Sequence, residues 1–490
     1  MDHGKAPVLE ALQAYHDRGY VPFNPPGHRQ GRGVDPRVLD VVGEAVFTSD
    51  VITPNGLDDR RNTGGVLEEA QALMADAVGA DHAFFSTCGS SLSVKSAMLS
   101  VAGPHEKLVV PRHAHKSVIS ALILSGVSPV WLSPHWDPER HLAHPPGPDD
   151  VRELLDAEPD VKGVLLVTPT DYGTCGDLRA IADVCHEFDK PLIVDEAWGA
   201  HLPFHADLPP WAMDAGADVC VTSVHKSGAA VEQSSVFHLQ GDRVDPKVLK
   251  AREDLLGTTS ASSLVYATLD GWRRQMVEQG HELLTAALAL AHSTRGAINA
   301  LPGLRVMGEA EFTGPRLADS FDPLKLVVDV SGLDISGYQA ADWLREHRRV
   351  TVGLSDHRRI VVHFTHADDD RSATVLLDAL RALTDAGLPS PEPVDLPTPE
   401  QLQLETAMLP RDAFFATVEQ VDADRAVGRI AAEMITPYPP GAPAVLPGEV
   451  ITRAVLDYVR SGLAAGMVLP DPSDAELDSV RVVARGAERR

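Results

Sequence analysis

The stretch Asp218-Val219-Cys220-Val221-Thr222-Ser223-Val224-His225-Lys226 decides the fold of this chain. It begins as an apolar run typical of a buried strand and ends in Ser-x-His-Lys. An earlier apolar run, Pro191-Leu192-Ile193-Val194, ends in Asp195. A charged side chain at the end of a buried strand needs a partner, because burial disfavours its charged form. The two strand ends therefore predict a site that uses both an amine and a carboxylate.

An amine and a carboxylate in these places meet the needs of pyridoxal 5′-phosphate (PLP). The amine of Lys226 can form a Schiff base with the aldehyde, and Asp195 can keep the pyridine nitrogen protonated. A lone aspartate at a strand end is usually a helix cap, and a lone lysine is usually solvated. The two together, with a phosphate-binding turn upstream, favour the cofactor.

That turn is Thr87-Cys88-Gly89-Ser90-Ser91, between a predicted strand and a predicted helix. Small residues allow the backbone to approach an anion, and a helix N-terminus presents unpaired N–H groups with a favourable dipole. His115, in His113-Ala114-His115-Lys116-Ser117, follows another predicted strand. It either stacks on a planar cofactor or caps a helix, and both interpretations stay open. Thr168 to Gly173 is mostly turn chemistry on its own.

From about residue 61 to 300, apolar runs alternate with helical stretches, which predicts βαβ units and a mainly parallel sheet. Ligands of such sheets bind beyond the carboxyl ends of the strands. The predicted strands are 83–86, 107–110, 130–132, 163–168, 192–194, 219–222 and 235–239. The predicted helices include 67–78, 93–100, 116–124 and 178–188.

The pattern of elements and prolines predicts five segments along the chain. A crowd of prolines between 389 and 400 indicates a stiff linker. The segments are an N-terminal segment 1–60, a major domain 61–310, a small α/β domain 311–388, the linker 389–400 and a C-terminal domain 401–490.

Composition excludes several classes of partner. The formal charge is 43 − 70 = −27 over 490 residues, whereas a nucleic-acid-binding face needs clustered Lys and Arg. The four cysteines form no CxxC pair, which favours a reducing compartment and predicts no metal site. No secretory signal opens the chain, and no run reaches the roughly eighteen apolar residues of a membrane span. We expect a cytoplasmic enzyme with no membrane partner.

The ordered motifs resemble the bacterial ornithine/lysine/arginine decarboxylases, which are PLP enzymes with an aspartate-aminotransferase-like fold (fold type I). The resemblance covers nearly the whole chain, and its most specific parts are the Ser-x-His-Lys box and the C-terminal PYPPG…PGE motif. The motifs are PGHRQG (26–31), LDD (57–59), TCGSS (87–91), HAHKS (113–117), PTDYGT (169–174), VDEAWGAH (194–201), SVHKS (223–227) and PYPPGAPAVLPGE (437–449).

The resemblance implies a fold and a set of site residues. The fold would be a mainly parallel seven-stranded sheet flanked by helices, with smaller α/β and C-terminal domains. Lys226 would bind the aldehyde, Asp195 the pyridine nitrogen, and His115 the face of the ring. The catalytic residues would be Lys226, His115, His225 and Asp195. The remaining cofactor contacts would be Gly89, Ser90, Ser91, Ala197, Trp198 and Ser223, with His225 beside the phosphate.

The implied reaction is decarboxylation of a basic L-amino acid to CO2 and an amine of polyamine biosynthesis (agmatine, cadaverine or putrescine). Arginine is favoured slightly over lysine, and ornithine is possible, since the short architecture resembles biosynthetic arginine decarboxylases. Glu449 is a candidate to meet the distal cation of the substrate. The first motif begins near residue 26, so we expect no N-terminal wing domain and a homodimer as the smallest assembly.

Two departures from the family pattern and two alternatives remain. Leu92 stands where a hydroxyl residue is frequent, and the order Asp171-Tyr172 is inverted relative to some relatives. Transamination or amine oxidation on the same fold is one alternative, and Arg358 and Arg359 are the arginines a transaminase could use. A non-catalytic regulator built on the fold is the other.

Overall fold

The computed structural model of the chain describes residues 1–52, 57, 65–438 and 441–486. Asp58 and Asp59 of the LDD motif, and Pro439 and Pro440 of the PYPPG motif, lie outside the described residues. The chain divides into two compact units. The first unit comprises Met1–Ser100 and Pro191–Thr285, and the second comprises Val101–Lys190 and Ala286–Arg490.

Between residues 66 and 299 the described strands and helices largely alternate. The helices are α1 Pro7–Asp17, α2 Pro36–Val42, α3 Glu44–Ser49, α4 Val66–Val78, α5 Gly89–Val101, α6 Lys116–Ser125, α7 Pro148–Ala157, α8 Leu178–Glu187, α9 Val224–Ser227, α10 Pro246–Leu256, α11 Ser263–Asn299, α12 Glu309–Phe312, α13 Gly337–Trp343, α14 Asp370–Thr384, α15 Pro399–Leu402, α16 Pro410–Phe414 and α17 Arg453–Ala464. The strands are β1 His82–Ser86, β2 Lys107–Pro111, β3 Ser128–Leu132, β4 His135–Asp137, β5 Leu142–His144, β6 Val164–Val167, β7 Thr174–Cys175, β8 Leu192–Asp195, β9 Val219–Ser223, β10 Ser235–Leu239, β11 Arg305–Val306, β12 Ser320–Phe321, β13 Lys325–Asp329, β14 Leu354–Ser355, β15 Arg359–His363, β16 Val418–Asp422 and β17 Ser479–Val483.

The central sheet has seven strands in the order β1-β10-β9-β8-β6-β2-β3. Strand β10 runs antiparallel to β1 and β9, whereas β8 pairs in parallel with β9, and β2 in parallel with β3 and β6. Every residue of β8, β9 and β10 is buried, as expected for strands covered on both faces, which therefore read as continuous apolar runs. The predicted fold, a mainly parallel seven-stranded sheet flanked by helices, is confirmed.

The second unit carries further sheets. One has four antiparallel strands in the order β11-β13-β15-β14. Near the C-terminus, β16 and β17 pair antiparallel, and helix α17 contributes Val455 and Val459 to the core beside them. Strands β4 and β5 form an antiparallel hairpin. The sequence analysis did not predict that hairpin or the long helix α11.

Helix α5 begins four residues before its predicted start at residue 93. It starts at Gly89, which has a φ of +74°. A Cβ added at this position would meet nothing within 4 Å, so glycine stands here because of its backbone conformation and not for lack of space. Ser90 and Ser91 therefore lie in the first turn of the helix and not, as predicted, in the preceding loop.

The N-terminal residues of the first unit are bound by a buried arginine. Arg273, on α11, is fully buried and pairs with Asp270 at 2.8 Å. Its guanidinium also donates hydrogen bonds to the carbonyl oxygens of His3 and Lys5. Asp270 in turn accepts a hydrogen bond of 2.8 Å from the backbone N–H of Val8. The start of the chain thus supplies acceptors that a buried guanidinium requires.

Candidate active site

Three strands of the first unit end at one edge of the sheet. Strand β1 is antiparallel to β10, and β10 is antiparallel to β9, so β1, β8 and β9 all run in the same direction. Their carboxyl ends are Ser86, Asp195 and Ser223. In the register, Ser86 and Ser223 both lie opposite Ser235, and Asp195 lies opposite Val221. The fold therefore brings these three chain positions to one edge, as the sequence predicted.

Lys226 lies one residue before the end of α9, the short helical turn that follows β9. Its Nζ is 4.4 Å from the centroid of the Trp198 ring, within the range of a cation–π interaction. The next residue, Ser227, donates a hydrogen bond of 2.9 Å to the Trp198 carbonyl. The loop after β8 and the turn after β9 are thereby held together, and the amine is directed across an aromatic face.

Two hydroxyl groups meet beside the first turn of α5. Ser223 Oγ donates a hydrogen bond to Ser90 Oγ at 2.7 Å, and Ser223 is completely buried. The N–H of Gly89 donates to the Gln233 carbonyl, whereas Ser91 lies further into the first turn. Hydroxyl groups at the start of a helix of thirteen residues provide donors and a positive dipole end for an anion.

Asp195 is 4% exposed, and its neighbour Glu196 is 1% exposed. The Cys220 thiol donates to Glu196 Oε2 at 3.3 Å. Burial raises the pKa of Glu196 well above its usual range, and it raises the pKa of Cys220 as well. Burial therefore favours the protonated form of Glu196 beside Asp195. The sequence analysis did not predict a role for Glu196 or Cys220. The signal for Glu196 was a second acidic residue directly after Asp195 at the end of the strand.

His225 and Ala197 take part in contacts of the same loops. The Nδ1–H of His225 donates to the Ser234 carbonyl at 2.9 Å, which leaves Nε2 as the nitrogen able to exchange a proton. That Nε2 lies 3.9 Å from a carboxylate oxygen of the exposed Glu232. The carbonyl of Ala197 accepts a hydrogen bond from the Ser223 N–H.

His115 belongs to the second unit, where it caps helix α6. Its Nδ1 accepts a hydrogen bond of 3.2 Å from the backbone N–H of Ser117, and Ser117 Oγ lies 3.0 Å from the same nitrogen. The capping interpretation is confirmed, and stacking on a cofactor stays a prediction. Because Nδ1 is an acceptor, the neutral ring carries its proton on Nε2.

Glu449, predicted to meet the substrate, has protein partners in the second unit. It is 1% exposed, and its Oε2 lies 3.0 Å from a guanidinium nitrogen of Arg112 and accepts a hydrogen bond of 2.8 Å from the Leu446 N–H. Burial raises the pKa of Glu449, against the opposing effect of Arg112. The sequence analysis missed Arg112; its signal was a basic residue directly after an apolar run.

Comparisons with known proteins identify the family. The model of the Orn/Lys/Arg decarboxylase major domain matches residues 6–372, and that of the C-terminal domain matches residues 399–471. The chain is 39% identical over 482 residues to the arginine decarboxylase of Halalkalibacterium halodurans, covering 98% of each chain. It is 37% identical over 486 residues to that of Bacillus subtilis, covering 99% of each. The chain belongs to the Orn/Lys/Arg decarboxylase family.

Solved structures agree with this fold. The lysine decarboxylase LdcF of Francisella novicida superposes with a TM-score of 0.81 at 20% identity, covering 98% of this chain and 81% of that one. The constitutive lysine decarboxylase of Escherichia coli gives 0.80 at 22% identity, covering 99% and 82%. Other neighbours, such as a Bacillus subtilis aminotransferase, share the PLP fold type I. The predicted family, fold and carboxy-lyase activity, PLP-dependent decarboxylation of a basic amino acid, are confirmed.

The residues at the sheet edge fit the cofactor that the decarboxylase family implies. PLP requires an amine, a carboxylate for its ring nitrogen and an anion site. Lys226, the buried Asp195 and the hydroxyl pair Ser90–Ser223 supply these groups within one unit.

The two departures from the family pattern have structural explanations. Leu92 is buried in the core, 6% exposed, so its side chain packs and does not face an anion. Tyr172 donates a hydrogen bond of 2.7 Å to Asp356, and the Asp171 carbonyl accepts one of 2.9 Å from the buried Lys325. Both residues of the inverted pair thus connect their turn to the small antiparallel sheet.

The arginines that a transaminase could use are engaged elsewhere in this decarboxylase. Arg359 is 1% exposed, pairs with Asp356 at 3.0 Å, and donates to the carbonyls of Arg140 and His141. Arg358 donates to the Glu139 carbonyl and lies 3.5 Å from Asp329. Their contacts connect the small sheet to the β4–β5 hairpin, which is a structural role.

Neither a membrane-spanning helix nor a metal-binding cluster occurs among the described residues. No helix there combines the length and the apolar character that crossing a bilayer requires. The same residues contain no group of three or more His, Cys, Asp or Glu side chains arranged to hold a metal ion.

Proposed function

We propose that the protein is an arginine decarboxylase that produces agmatine and CO2 with PLP held by Lys226. The observation that carries the proposal is the placement of Lys226, Asp195 and the Ser90–Ser223 pair by the ends of three parallel strands. Arginine is favoured because the relatives at 39% and 37% identity over nearly the whole chain are named arginine decarboxylases. Relatives named lysine decarboxylase, from Pseudomonas aeruginosa and Escherichia coli, are 25% and 24% identical.

Each side chain has a role in holding the cofactor. Asp195 is the carboxylate for the pyridine nitrogen, and Ser90, Ser91 and Ser223 hold the phosphate together with the Gly89 end of α5. His115 would stack on the ring, Trp198 and Ala197 would contact the cofactor, and His225 would lie beside the phosphate. When bound, PLP supplies a protonated ring that accepts the electron pair left when CO2 departs.

The chain's own groups then orient the substrate and move protons. The Trp198 ring centroid lies 4.4 Å from Lys226 Nζ, so the ring localises this nitrogen before PLP binds. Asp195, at 4% exposure, lies in a region from which water is excluded, where a carboxylate would stabilise a proton on the ring nitrogen more strongly than in water. The amine of Lys226, or Nε2 of His225, returns a proton to the substrate Cα.

An amine-release assay tests the substrate preference. The purified protein with added PLP is given arginine, lysine or ornithine, and CO2 and the amine are measured together. We expect agmatine from arginine, with kcat/KM exceeding that for lysine by roughly 10- to 200-fold, the range that a size difference in one pocket supports. A larger kcat/KM for lysine or ornithine would contradict the arginine assignment, and release of a keto acid would contradict decarboxylation.

Three further assignments belong to this proposal: a homodimer as the smallest assembly, a cytoplasmic location, and a place in polyamine biosynthesis. Family resemblance supports the dimer, and the absence of a disulfide among Cys88, Cys175, Cys185 and Cys220 is consistent with a reducing compartment. Light scattering on the purified protein measures the mass. A monomer with full activity would contradict the dimer.

A further inference from the structure

A loop near the C-terminus binds the segment that carries His115. We call residues 441–449 the clamp loop; like residues 112–117, it belongs to the second unit. The backbone N–H of Lys116 donates to the Gly441 carbonyl at 3.3 Å. Beside the loop, Lys116 Nζ pairs with Asp471 at 2.9 Å. Backbone and side-chain contacts therefore hold the start of helix α6 against the C-terminal region.

Arg112 provides the strongest of these connections. Its guanidinium donates to the carbonyl oxygens of Pro443 and Ala444 at 2.8 and 3.2 Å, and to Glu449 at 3.0 Å. Within the loop, Glu449 also accepts the Leu446 N–H, as described above. A planar guanidinium with donors in fixed directions is suited to binding several acceptors at once, so Arg112 fixes the clamp loop at three points.

Gly441 of the clamp loop lies beside the His115 ring. Gly441 has a φ of +91°, and a Cβ added there would lie 3.4 Å from His115 Cδ2. A side chain at Gly441 would therefore contact this side of the ring, whose Nδ1 is fixed by the Ser117 N–H.

Glu449 is poorly placed to receive a cationic substrate. It is 1% exposed and already faces a guanidinium, and a second cation would be repelled by Arg112. We propose that Glu449 is a positioning residue for His115, acting through Arg112 and the clamp loop, and that it does not bind the distal cation of the substrate. This inference rests on the proposed function, in which His115 stacks on the cofactor ring.

The test compares Glu449→Gln with Asp424→Asn as a matched control. Asp424 forms exposed ion pairs with Arg453 and Arg460 in the same C-terminal region, so its loss removes a carboxylate without touching the clamp loop. The measurements are kcat and KM with arginine and with lysine, and the Kd of PLP from absorbance titration of the cofactor-free protein.

For Glu449→Gln we expect kcat to fall roughly 10- to 100-fold with both substrates, as for a small misplacement near the reacting atoms, and the Kd of PLP to rise. The ratio of the two KM values should stay unchanged, and Asp424→Asn should behave like the wild type. Arg112→Lys, which keeps the charge but loses the fork of donors, should give an intermediate result, whereas Arg112→Met should match Glu449→Gln.

Two outcomes would overturn the inference. A rise in KM for arginine alone, with kcat and the Kd of PLP unchanged, would make Glu449 a substrate ligand. If Glu449→Gln has the kcat and the PLP Kd of the wild type, the Arg112–Glu449 ion pair has only a structural role. If Glu449→Gln does not unfold cooperatively, Gly441→Ala replaces it, because that variant keeps the ion pair, strains the clamp loop at a φ of +91° and puts a methyl group in contact with His115. An unchanged Kd of PLP in Gly441→Ala would overturn the inference.

The two proposals fail separately. If the wild-type protein releases no amine from any basic amino acid, the proposed function is wrong. The PLP titration of the same variants still decides whether the clamp loop positions a residue that contacts the cofactor.

Discussion

The edge of the sheet around Lys226 and the segment around His115 are built in different ways. Asp195 and Lys226 are positioned by adjacent parallel strands, and the bond from Ser227 to Trp198 spans 29 residues. The His115 segment is bound by a loop contact between Arg112 and Glu449 that spans 337 residues. A strand ladder positions its side chains by repeated backbone bonds, whereas the loop contact depends on a few side chains. We therefore expect substitutions in the first region to remove groups that take part in the reaction. Substitutions in the second region should only shift the position of His115.

The largest effect is expected for Lys226→Ala. Without the amine, turnover should fall by roughly 10⁴-fold or more, as for other groups that bond covalently to the reacting centre. The absorbance band of bound PLP should disappear as well. Lys247→Ala, an exposed lysine of the same unit, is the control. Normal turnover by Lys226→Ala would show that the residues at this edge of the sheet do not form the active site.

Asp195→Asn should come next. The side chain keeps its size but loses the charge that stabilises a proton on the pyridine nitrogen, so kcat should fall by roughly 10²- to 10³-fold. PLP should still bind. Asp242→Asn removes an exposed carboxylate of the same unit and should leave kcat unchanged. Equal rates for Asp195→Asn and the wild type would exclude Asp195 from the mechanism.

Smaller effects are expected at the hydroxyl pair. Ser90→Ala and Ser223→Ala each remove one donor to a charged phosphate, so the Kd of PLP should rise roughly 10- to 100-fold. Because the two hydroxyls are 2.7 Å apart, the double variant should show less than the product of the single effects. Full multiplication of the two effects would mean that the hydroxyls act independently.

Acid should destabilise both units through buried neutral histidines. Burial lowers the pKa of His238, in the first unit, to about 3, and that of His144, in the second, to about 4. The unfolded chain takes up these protons near pH 6.5 and the folded chain does not, so the free energy of unfolding falls as pH drops below about 6.5. Each histidine contributes a slope of roughly 1 kcal/mol per pH unit, lost when it is replaced by Phe. Urea unfolding at pH 7, 6, 5 and 4.5 measures the slope, and an unchanged slope in His144→Phe would contradict this cause.

The smallest change is expected for Trp198→Leu. Loss of the aromatic face removes a cation–π contact worth about 0.5–2 kcal/mol, which corresponds to a roughly 2- to 30-fold fall in kcat/KM. Trp198→Phe, which keeps a ring, should lose less than Trp198→Leu. The opposite order would show that Trp198 acts by size and not through its ring.

Much of the Lys226 region was predictable because its determinants are local in sequence. Buried strands read as apolar runs, and the residue after each run falls at the carboxyl edge, which identified Asp195 and Lys226. The strand Ser235–Leu239 was predicted with its observed bounds. The predicted start of α5 was wrong because the helix begins at Gly89, and glycine is unfavourable inside helices.

The partners of Glu449 and Tyr172 were not predictable in this way. Arg112 and Asp356 come from distant parts of the chain and lie at a loop and a strand end, where no periodic pattern indicates a contact. The predicted domain boundaries and the individual roles of the site residues remain predictions.

The contacts of Arg273 have a practical consequence for handling the protein. A recombinant version shortened by the first five residues would lose the His3 and Lys5 carbonyls and leave part of a fully buried guanidinium without acceptors. Such a deletion would lower the free energy of unfolding, although most of the five residues are exposed. A shortened version should therefore retain His3 and Lys5.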